Sequence, residues 1–488
     1  MNRELKRVTL AVIGMFTALF IAASVVQVVT ADQLSADSRN TRTMYESYRY
    51  KRGPILVAGT PIAESVPVDN KYRFQRTYPN PFVYSNVTGY FTLTQGLTGI
   101  EGAMNSYLSG KTGSQFLNQL NAILTGQEPQ GASVELTLDP VLQQASWDAL
   151  GDYEGAIIVT EPSTGKILAM VSKPGYDPNL LASHNTNEVI AAYTALNEDP
   201  LEPLIDKTIA GDLNPPGSVF KLVMVAAALE SGKYTPESTF PNPASFQLPG
   251  TDVFIKNWNR GPCPGAGAEV TLEQALKQSC NIPFAELGLE LGRKAILDQA
   301  KKFGFNTSFE IPMKTAASEF PVVMDDPQTA LASFGQYDVR ATPLQVALVS
   351  AGIANGGMVM YPNTVNQVLE PSLKPISQFS AKEFSQAMSP ENAATLRDMM
   401  VASVRSGLAT NARISGVDVA GKTGTAENGD NGDGEPFTFW FTGFAPADSP
   451  RYAVTVLVEN GGGLGQSGDS NEITATIARK VLEAGLNK

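Results

Sequence analysis

A long, predominantly apolar run without a charged residue, Val8 to Val29, lies near the start of the chain. As a helix with a rise of about 1.5 Å per residue it would be about 33 Å long, enough to cross a hydrocarbon core of about 30 Å. The basic residues before it are Arg3, Lys6 and Arg7. We therefore expect a cytoplasmic tail at 1–7, a single-pass membrane anchor at 8–29 and an extracytoplasmic remainder. A signal peptide cleaved near Val29-Thr-Ala31 is the alternative, although the run is longer than the usual signal core.

The residues after this run fall into two regions with different patterns. Residues 30–133 are rich in Tyr, Arg, Asn, Thr and Gly and show little helical periodicity, which predicts a small, irregular or β-containing, non-catalytic module. From Val134 onwards an early strand pair is followed by helical segments, a late strand pair and a final helix near Ile473 to Gly485. This order predicts an α+β fold for 134–488, with helices packed against an antiparallel sheet.

One segment in the middle of the chain is apolar on nearly every side of a helix. It follows Pro215-Pro-Gly217, begins at Ser218 and runs to Leu229 without an internal Gly, Pro or acidic residue. A helix of this kind is buried, and Ser218 and Lys221 are one turn apart on the same face. The similar spacing Ser163 to Lys166 lies between two β-type segments and predicts a solvated hairpin turn instead.

Two further short motifs follow in order, Ser279-Cys-Asn281 and Lys422-Thr-Gly424, the latter succeeded by Thr425. The Lys422 motif ends an alternating stretch from Val417 and precedes the apolar run Phe437 to Phe441, so we predict a strand, a loop and a second strand. The stretch Gly416 to Thr423 also satisfies the phosphate-loop expression, but a phosphate loop must open a helix, and strand-like alternation argues against it.

The chain has one histidine, His184, in a polar loop that predicts a surface residue. A serine hydroxyl needs a partner that takes its proton, and Lys221 is the base within one helical turn of Ser218. For Lys221 to act at neutral pH its pKa must fall from about 10.4 to near 7, which costs roughly 4 kcal/mol. Burial and the second cation, Lys422, both lower it. A relay through Ser279 remains an alternative path for the proton.

These motifs resemble those of penicillin-binding proteins, the serine D,D-transpeptidases. Further segments that resemble the family are Pro162-Ser-Thr-Gly-Lys-Ile-Leu-Ala169, Tyr176-Asp-Pro-Asn179, Ala341-Thr-Pro-Leu-Gln345, Ile353-Ala-Asn-Gly-Gly357 and Phe441-Thr-Gly-Phe-Ala-Pro-Ala447. Arg52-Gly-Pro-Ile55 resembles a signature of class B members. With its short N-terminal module, the chain is similar to the penicillin-binding protein A type of actinobacteria, and the resemblance implies a penicillin-binding/β-lactamase-like transpeptidase fold.

The resemblance also implies roles for individual residues. Ser218 would be the nucleophile, Lys221 the general base, Ser279 a proton relay to the leaving amine, and Asn281 a hydrogen-bond partner of the substrate amide. The residues implied in holding the substrate carboxylate and the oxyanion are Lys422, Thr423, Gly424 and Thr425. The oxyanion hole itself would be made by the backbone N–H groups of Ser218 and Thr425.

The implied activity is the cross-linking of peptidoglycan stem peptides through an acyl-enzyme, with acylation by β-lactams at the same serine. A D,D-carboxypeptidase is an alternative, and a β-lactam sensor or a β-lactamase is a weaker one. We find no convincing Glu-x-x-Leu-Asn pattern for a β-lactamase between Asn281 and Lys422. The expected partners are a glycan polymerase and the machinery of cell division or cell shape, and no cofactor or metal is expected.

Composition changes this interpretation at two points. The net charge is −12 and the pI about 4.8, which argues against nucleic acid as a partner. Cys263 and Cys280 are the only cysteines. In an exported chain an even pair favours a disulfide, with two buried free thiols as the alternative. A bridge would fix the segment that carries Ser279 and Asn281.

Overall fold

The N-terminal helix is long, apolar and exposed. In the computed structural model, which describes residues 2–30, 48, 50–92, 94–112, 128–427 and 434–488, residues Asn2–Ser24 form an α-helix that a π-helical turn, Val25–Val29, continues. Its large apolar side chains are exposed. By length and composition this helix could cross a membrane, and it contains the apolar run that the sequence analysis assigned to an anchor.

The module that follows is built on a six-stranded sheet that it shares with the rest of the chain. Its strands are β1 (Ile55–Val57), β2 (Thr60–Pro67), β3 (Phe74–Thr77) and β4 (Ser133–Leu136), and its helices are Pro81–Thr88, Gly99–Ala103 and Asn105–Leu108. Strand β4 pairs in parallel with β1 and antiparallel with Val365–Leu369, which itself pairs with Pro375–Gln378. The boundary expected between 133 and 134 therefore falls inside a strand of this shared sheet.

A five-stranded antiparallel sheet forms the centre of the larger region. Its members are β5 (Gly155–Thr160), β6 (Ile167–Lys173), β15 (Ala420–Ala426), β16 (Thr438–Ala445) and β17 (Tyr452–Val458). They lie in the order β15-β16-β17-β5-β6. All residues of β5, β16 and β17 are buried, because helices cover both faces of the sheet. The expected antiparallel sheet with packed helices is confirmed, as is the β5–β6 hairpin.

Helices from the start, middle and end of this region cover the sheet. The helix Pro343–Ala354 packs on one face, against β5, β16 and β17, while Pro140–Leu150 and the final helix Thr476–Leu486 pack on the other. The remaining α-helices are Pro178–Leu181, Thr186–Asn197, Lys221–Glu230, Leu272–Lys277, Ile282–Leu291, Arg293–Lys302, Asp326–Ala332 and Pro390–Ser406. The last helix follows a π-helical turn, Asn471–Ala475.

Short strand pairs and tight turns connect these helices. The pairs are β7 (Thr239–Pro241) with β10 (Glu269–Thr271), β8 (Phe246–Gln247) with β9 (Phe254–Ile255), and β11 (Met358–Met360) with β14 (Glu383–Gln386). The strands that join the module sheet are β12 (Val365–Leu369) and β13 (Pro375–Gln378). The 3₁₀ turns are Gly217–Phe220, Thr410–Ala412 and Asn460–Gly463.

The predicted buried helix is present, with one difference at its start. Residues Lys221 to Leu229 are all buried, as expected for a helix that is apolar on every side. The α-helix begins at Lys221, however, and Ser218 lies in the 3₁₀ turn Gly217–Phe220 that precedes it. The residues Pro215 and Pro216 lead into this turn and cannot continue a helix backwards. Ser218 therefore lies at the end of the helix, where its hydroxyl can face a cleft.

Candidate active site

The turn that carries Ser218 is held on three sides. Gly217 has a φ of +52°, which favours glycine, and a Cβ there would lie 2.6 Å from the carbonyl oxygen of Thr425. The Gly217 N–H donates to the Gly335 carbonyl at 2.9 Å. The Trp440 indole N–H donates to the Pro215 carbonyl, also at 2.9 Å. The turn is thereby fixed beside β15, the edge strand of the central sheet.

Lys221 is completely buried, and its ammonium nitrogen meets three oxygen atoms. Its Nζ lies 3.0 Å from Ser218 Oγ, 2.8 Å from the Ser279 carbonyl oxygen and 2.8 Å from Asn281 Oδ1. A neutral amine has two N–H groups and one lone pair. If the two N–H groups bond Ser279 and Asn281, the lone pair faces the Ser218 hydroxyl, which is the arrangement a general base needs.

The pKa values of both buried lysines are lowered. Burial, and then the charge of Lys422, lower the pKa of Lys221 well below its usual value. Burial lowers the pKa of Lys422 to about 7. These are the two causes that the sequence analysis required for a neutral Lys221.

Ser279 connects the two lysines. Its hydroxyl oxygen accepts a hydrogen bond from Lys422 Nζ at 2.7 Å, while its carbonyl oxygen accepts from Lys221 at 2.8 Å. The backbone of Ser279 has a φ of +55°, a conformation that is unusual for a non-glycine residue. Since Lys422 Nζ donates to the Ser279 oxygen, the Ser279 hydroxyl proton remains available for another acceptor.

The Lys422 motif lies within β15, an edge strand of the central sheet. The alternating pattern predicted a strand that starts at Val417 and ends at the motif; in the structure the strand runs from Ala420 to Ala426, so its end agrees and its start is displaced. A Cβ on Gly424 would lie 3.0 Å from the Pro216 carbonyl oxygen, so this position must stay small beside the Ser218 turn. Because β15 is an edge strand, the backbone groups on its open side are not used by a neighbouring strand.

The two threonines of this strand have different surroundings. The Thr423 hydroxyl donates to the Leu408 carbonyl at 3.1 Å, and Lys422 Nζ donates to the Thr423 carbonyl at 2.7 Å. A substrate carboxylate would therefore compete with Leu408 for the Thr423 proton. The exposed Thr425 donates to the hydroxyl of Ser470 at 3.3 Å. Ser470 belongs to no recognised motif, and no local pattern in the chain marks it as a contact of Thr425.

Cys263 and Cys280 form a disulfide, with their Cα atoms 5.7 Å apart. The structure thus has the bridged arrangement rather than the alternative of two free thiols. Cys280 lies between Ser279 and Asn281, so the bridge ties this motif to the loop that follows β9. The position of the disulfide agrees with the expectation that it would fix the segment that carries Ser279 and Asn281.

An ionic network reaches the segment just before the Ser218 turn and was not anticipated. Lys207 Nζ lies 2.8 Å from Glu154 and 2.7 Å from Glu459. Glu459 in turn accepts from the Asn214 side chain at 2.7 Å, and Asn214 immediately precedes Pro215. The three charged residues come from distant segments, so no local pattern could reveal their contact.

His184 is less solvated than the sequence suggested. Its ring lies 4.4 Å from the Tyr72 ring and 5.5 Å from the Tyr48 ring, centroid to centroid, and its Nδ1 is 3.1 Å from Asn70 Nδ2. The side chain is half-buried at the surface rather than fully solvated, because the loop of His184 packs against the N-terminal module. The contacts that it makes there give it no role beside Ser218.

Comparison with known families identifies two matching regions. The profile of the penicillin-binding protein transpeptidase domain matches residues 155–483, and the profile of the penicillin-binding protein A dimerisation domain matches residues 52–134. The first match spans all three motifs described above. The second covers most of the N-terminal module and ends one residue beyond its expected boundary at 133.

Individual proteins are similar over the full chain. The peptidoglycan D,D-transpeptidase PbpA of Mycolicibacterium smegmatis is 40% identical, covering 100% of both chains. PbpA of Mycobacterium tuberculosis strain H37Rv is 39% identical, covering 100% of this chain and 99% of its own.

Solved structures of the M. tuberculosis protein are also similar. Its penicillin-binding protein A as a ceftriaxone acyl-enzyme complex has a TM-score of 0.87 at 38% identity and covers 91% of this chain and 100% of that chain. The penicillin G acyl-enzyme complex has a TM-score of 0.84 at 38% identity, with coverages of 90% and 100%. The predicted fold and the resemblance to penicillin-binding protein A are confirmed.

Proposed function

The chain belongs to the family of penicillin-binding protein transpeptidases, as a class B member similar to PbpA, and we propose that Ser218 is its nucleophile. The activity is that of a peptidoglycan D,D-transpeptidase which β-lactams also acylate. One observation carries the role of Ser218: its hydroxyl lies 3.0 Å from the buried Nζ of Lys221. The hydroxyl of Ser279 also has a buried lysine as its partner, Lys422 at 2.7 Å, but Ser218 is the described serine whose hydroxyl meets Lys221, the lysine whose pKa is lowered well below its usual value.

The first half of the reaction makes the acyl-enzyme. As Ser218 Oγ attacks the carbonyl carbon of the D-Ala-D-Ala peptide bond, neutral Lys221 takes its proton, and the carbonyl oxygen gains negative charge. The N–H groups of Ser218 and Thr425 would receive this charge, and such donors are typically worth about 10² to 10³ in rate each.

The C–N bond then breaks, and the leaving D-alanine nitrogen needs a proton. Ser279 can supply it, because its oxygen already accepts from Lys422 Nζ at 2.7 Å and its own proton is not needed for that contact. Lys422, with a pKa of about 7, can restore the proton to Ser279. In the second half, the amine of a neighbouring stem peptide attacks the acyl carbon, and its proton passes through Ser279 to Lys422. The ester C–O bond then breaks, and Lys221 returns its proton to Ser218 Oγ, so that both lysines regain their starting states.

The substrate's terminal carboxylate would bind at β15. Lys422 supplies positive charge, and the exposed hydroxyl of Thr425 is the most accessible donor on this strand. Thr423 can contribute only by giving up its bond to Leu408. Gly424 keeps the strand close to the Ser218 turn, so that the carboxylate site and the nucleophile are separated by roughly one residue of substrate.

The location and the partners are also part of this proposal. The helix Arg3–Val29 is long and apolar enough to anchor the chain, and the basic residues before it support a cytoplasmic N-terminus with an extracytoplasmic catalytic domain. Stem peptides and β-lactams are the ligands, and a glycan polymerase of the cell-wall or division machinery is the proposed protein partner. Such a partner would supply the uncross-linked strands that the transpeptidase joins.

The test is intact-mass analysis of the exported part of the chain after exposure to penicillin G. We expect one penicillin per chain, mapped to Ser218 and stable for many minutes. Ser218→Ala should abolish the adduct, whereas Ser163→Ala, which alters the similar spacing on the β5–β6 turn, should leave it unchanged.

Other results would point elsewhere. Intact penicillin and no adduct would refute the assignment of Ser218. Rapid consumption of penicillin without an adduct would indicate a β-lactamase. With a stem-peptide substrate and an acceptor amine, release of D-alanine without a cross-linked product would favour a carboxypeptidase.

A further inference from the structure

The helix Ile282–Leu291 begins next to the active site and is capped in an unusual way. Asn281 occupies its N-cap position but makes no side-chain cap bond, although asparagine at this position normally accepts from the first turn of its own helix. Its side chain is engaged elsewhere: Oδ1 accepts from Lys221 at 2.8 Å, and Nδ2 donates to the Lys256 carbonyl at 3.1 Å. The helix start therefore needs an acceptor from another residue.

Asn257 provides that acceptor. Its Oδ1 accepts from the backbone N–H of Asn281 at 2.8 Å and from that of Ile282 at 3.1 Å. The next residue, Pro283, has no N–H, and the N–H of Phe284 bonds the Asn281 carbonyl at 3.1 Å. One side-chain oxygen thus satisfies both of the remaining amides at this end of the helix.

Asn257 is itself firmly held. Its side chain is only 2% exposed, its Nδ2 donates to the Gly261 carbonyl at 2.9 Å, and its carbonyl accepts from the Arg260 N–H at 2.8 Å. The residues on either side of Asn257 also contact the segment that carries Asn281. The Lys256 carbonyl accepts from the Asn281 side chain, and the Trp258 indole donates to the Gln278 carbonyl at 2.9 Å.

We propose that Asn257 is a positioning residue for acylation, which takes over the capping of helix Ile282–Leu291 so that the Asn281 side chain stays on Lys221. This inference rests on the proposed roles of Ser218 and Lys221. Lys221 is oriented by two oxygens, those of Ser279 and Asn281, and both belong to the segment that Asn257 fixes. Without the Asn257 acceptor, two amides lose their partner and the backbone of Asn281 is no longer held in place.

The test compares acylation by penicillin G in Asn257→Ala with a matched control, Asn259→Ala. Asn259 lies in the same loop and also makes two hydrogen bonds, to Pro262 at 2.9 Å and from Gly261 at 3.2 Å, but neither reaches the Ser279 motif. We expect the acylation rate constant to fall about 100-fold in Asn257→Ala, since small displacements of catalytic groups have effects of this size. Asn259→Ala should change it by about twofold or less.

A double substitution separates positioning from a general loss of stability. If Asn257 acts through Asn281, Asn257→Ala combined with Asn281→Ala should acylate no more slowly than Asn281→Ala alone. Losses that multiply in the double variant would overturn the inference. So would an Asn257→Ala enzyme that acylates at the wild-type rate.

Asn257→Asp keeps the inference testable if the alanine variant does not fold. A carboxylate retains the acceptor for both amides, so we expect Asn257→Asp to acylate within about tenfold of the wild-type rate at its optimal pH. A full pH profile distinguishes an effect of the new charge on Lys221 from a loss of position. A folded aspartate variant that acylates about 100-fold more slowly than wild type at every pH would contradict the proposal. A wild-type enzyme without a Ser218 adduct would instead refute the proposed function itself.

Discussion

Two regions of the molecule bury pairs of cationic side chains, with different partners. In the N-terminal module Arg52 and Arg76 flank Glu101, each through a nitrogen 2.6 Å from a carboxylate oxygen. In the active site Lys221 and Lys422 are buried just as completely. The hydrogen-bond partners that the described residues offer to these lysines are all neutral oxygens.

The partners determine what burial does to each group. Burial alone would raise the pKa of Glu101, but Arg76 and Arg52 outweigh it and hold that pKa below its usual value. In the candidate active site no carboxylate of the described residues compensates, so burial lowers the pKa of both lysines. Lys207 shows the contrast for a single residue type: burial would lower its pKa, but Glu459 and Glu154 raise it. A buried charged side chain with a counter-charge stays charged and supports the fold. A buried lysine without a counter-charge loses its proton more easily and becomes a reactive amine.

The largest effect should come from removing the reactive amine. Lys221→Met keeps the length and apolar contacts of the side chain but removes the base, and we expect the rate of penicillin acylation to fall by about 10³- to 10⁴-fold. Lys221→Arg should be equally inactive, because arginine does not lose its proton. Lys166→Met, which alters the lysine of the β5–β6 turn, is the matched control. Retention of more than a tenth of the wild-type rate in Lys221→Met would show that another group takes the proton.

Removing the counter-charge from the module should affect stability rather than chemistry. Glu101→Gln leaves two buried arginines without a carboxylate, and we expect unfolding free energy to fall by about 3–5 kcal/mol. The control is Glu128→Gln, whose partner Arg73 is exposed, with an expected loss of about 1 kcal/mol or less. Denaturant unfolding measures both, and the folded fraction should acylate at the wild-type rate. Equal losses of unfolding free energy in the two variants would show that the buried cluster of Arg52, Glu101 and Arg76 contributes no more to stability than an exposed ion pair.

The smallest predicted effect is a pH dependence of stability that originates in the active site. The pKa of Lys422 is about 7 in the folded protein, against about 10.4 in an unfolded chain. Between these values the unfolded chain binds a proton that the folded chain does not. Unfolding free energy should therefore rise with pH, by up to about 1.4 kcal/mol per pH unit from this one group, and be lost as the pH falls towards 7.

Urea unfolding from pH 7.5 to 9.5 checks this slope. Lys422→Met should flatten it by the amount that Lys422 contributes, and the exposed Lys233→Met should not. A slope that is the same in wild type and Lys422→Met would mean that Lys422 is charged in the folded protein near neutral pH.

The proposed catalytic pair was predictable because its geometry is local. Ser218 and Lys221 are three residues apart on one turn, and the apolar residues that follow them imply burial without any knowledge of the rest of the fold. The β5–β6 hairpin was predictable for the same reason. The strand that carries Lys422 was also predicted, although it begins at Ala420 rather than at Val417, because the strand is buried on both faces and alternation is a poor guide there.

The supporting residues were not predictable, because their contacts join distant segments. Asn257 caps a helix that begins 25 positions later, Ser470 meets Thr425 across 45 positions, and Glu459 reaches Lys207 across 252. Each is a common polar residue in a loop, and only the packing of the chain gives it a partner. The same applies to the shared sheet, in which the expected module boundary lies within a strand.

That shared sheet has a consequence for how the chain folds. Strand β4 pairs with β12, so Val134 lies opposite Val368. The ribosome synthesises Val134 long before it synthesises Val368. Until β12 has been synthesised, the backbone N–H and C=O groups on one edge of β4 have no partner strand. The loop between β4 and β12, which must close to form this pair, is among the longest in the molecule. Slow pairing of distant strands exposes a chain to aggregation. An assembly factor that covers this edge during synthesis would therefore raise the yield of native protein, and a truncated N-terminal module should be prone to self-association.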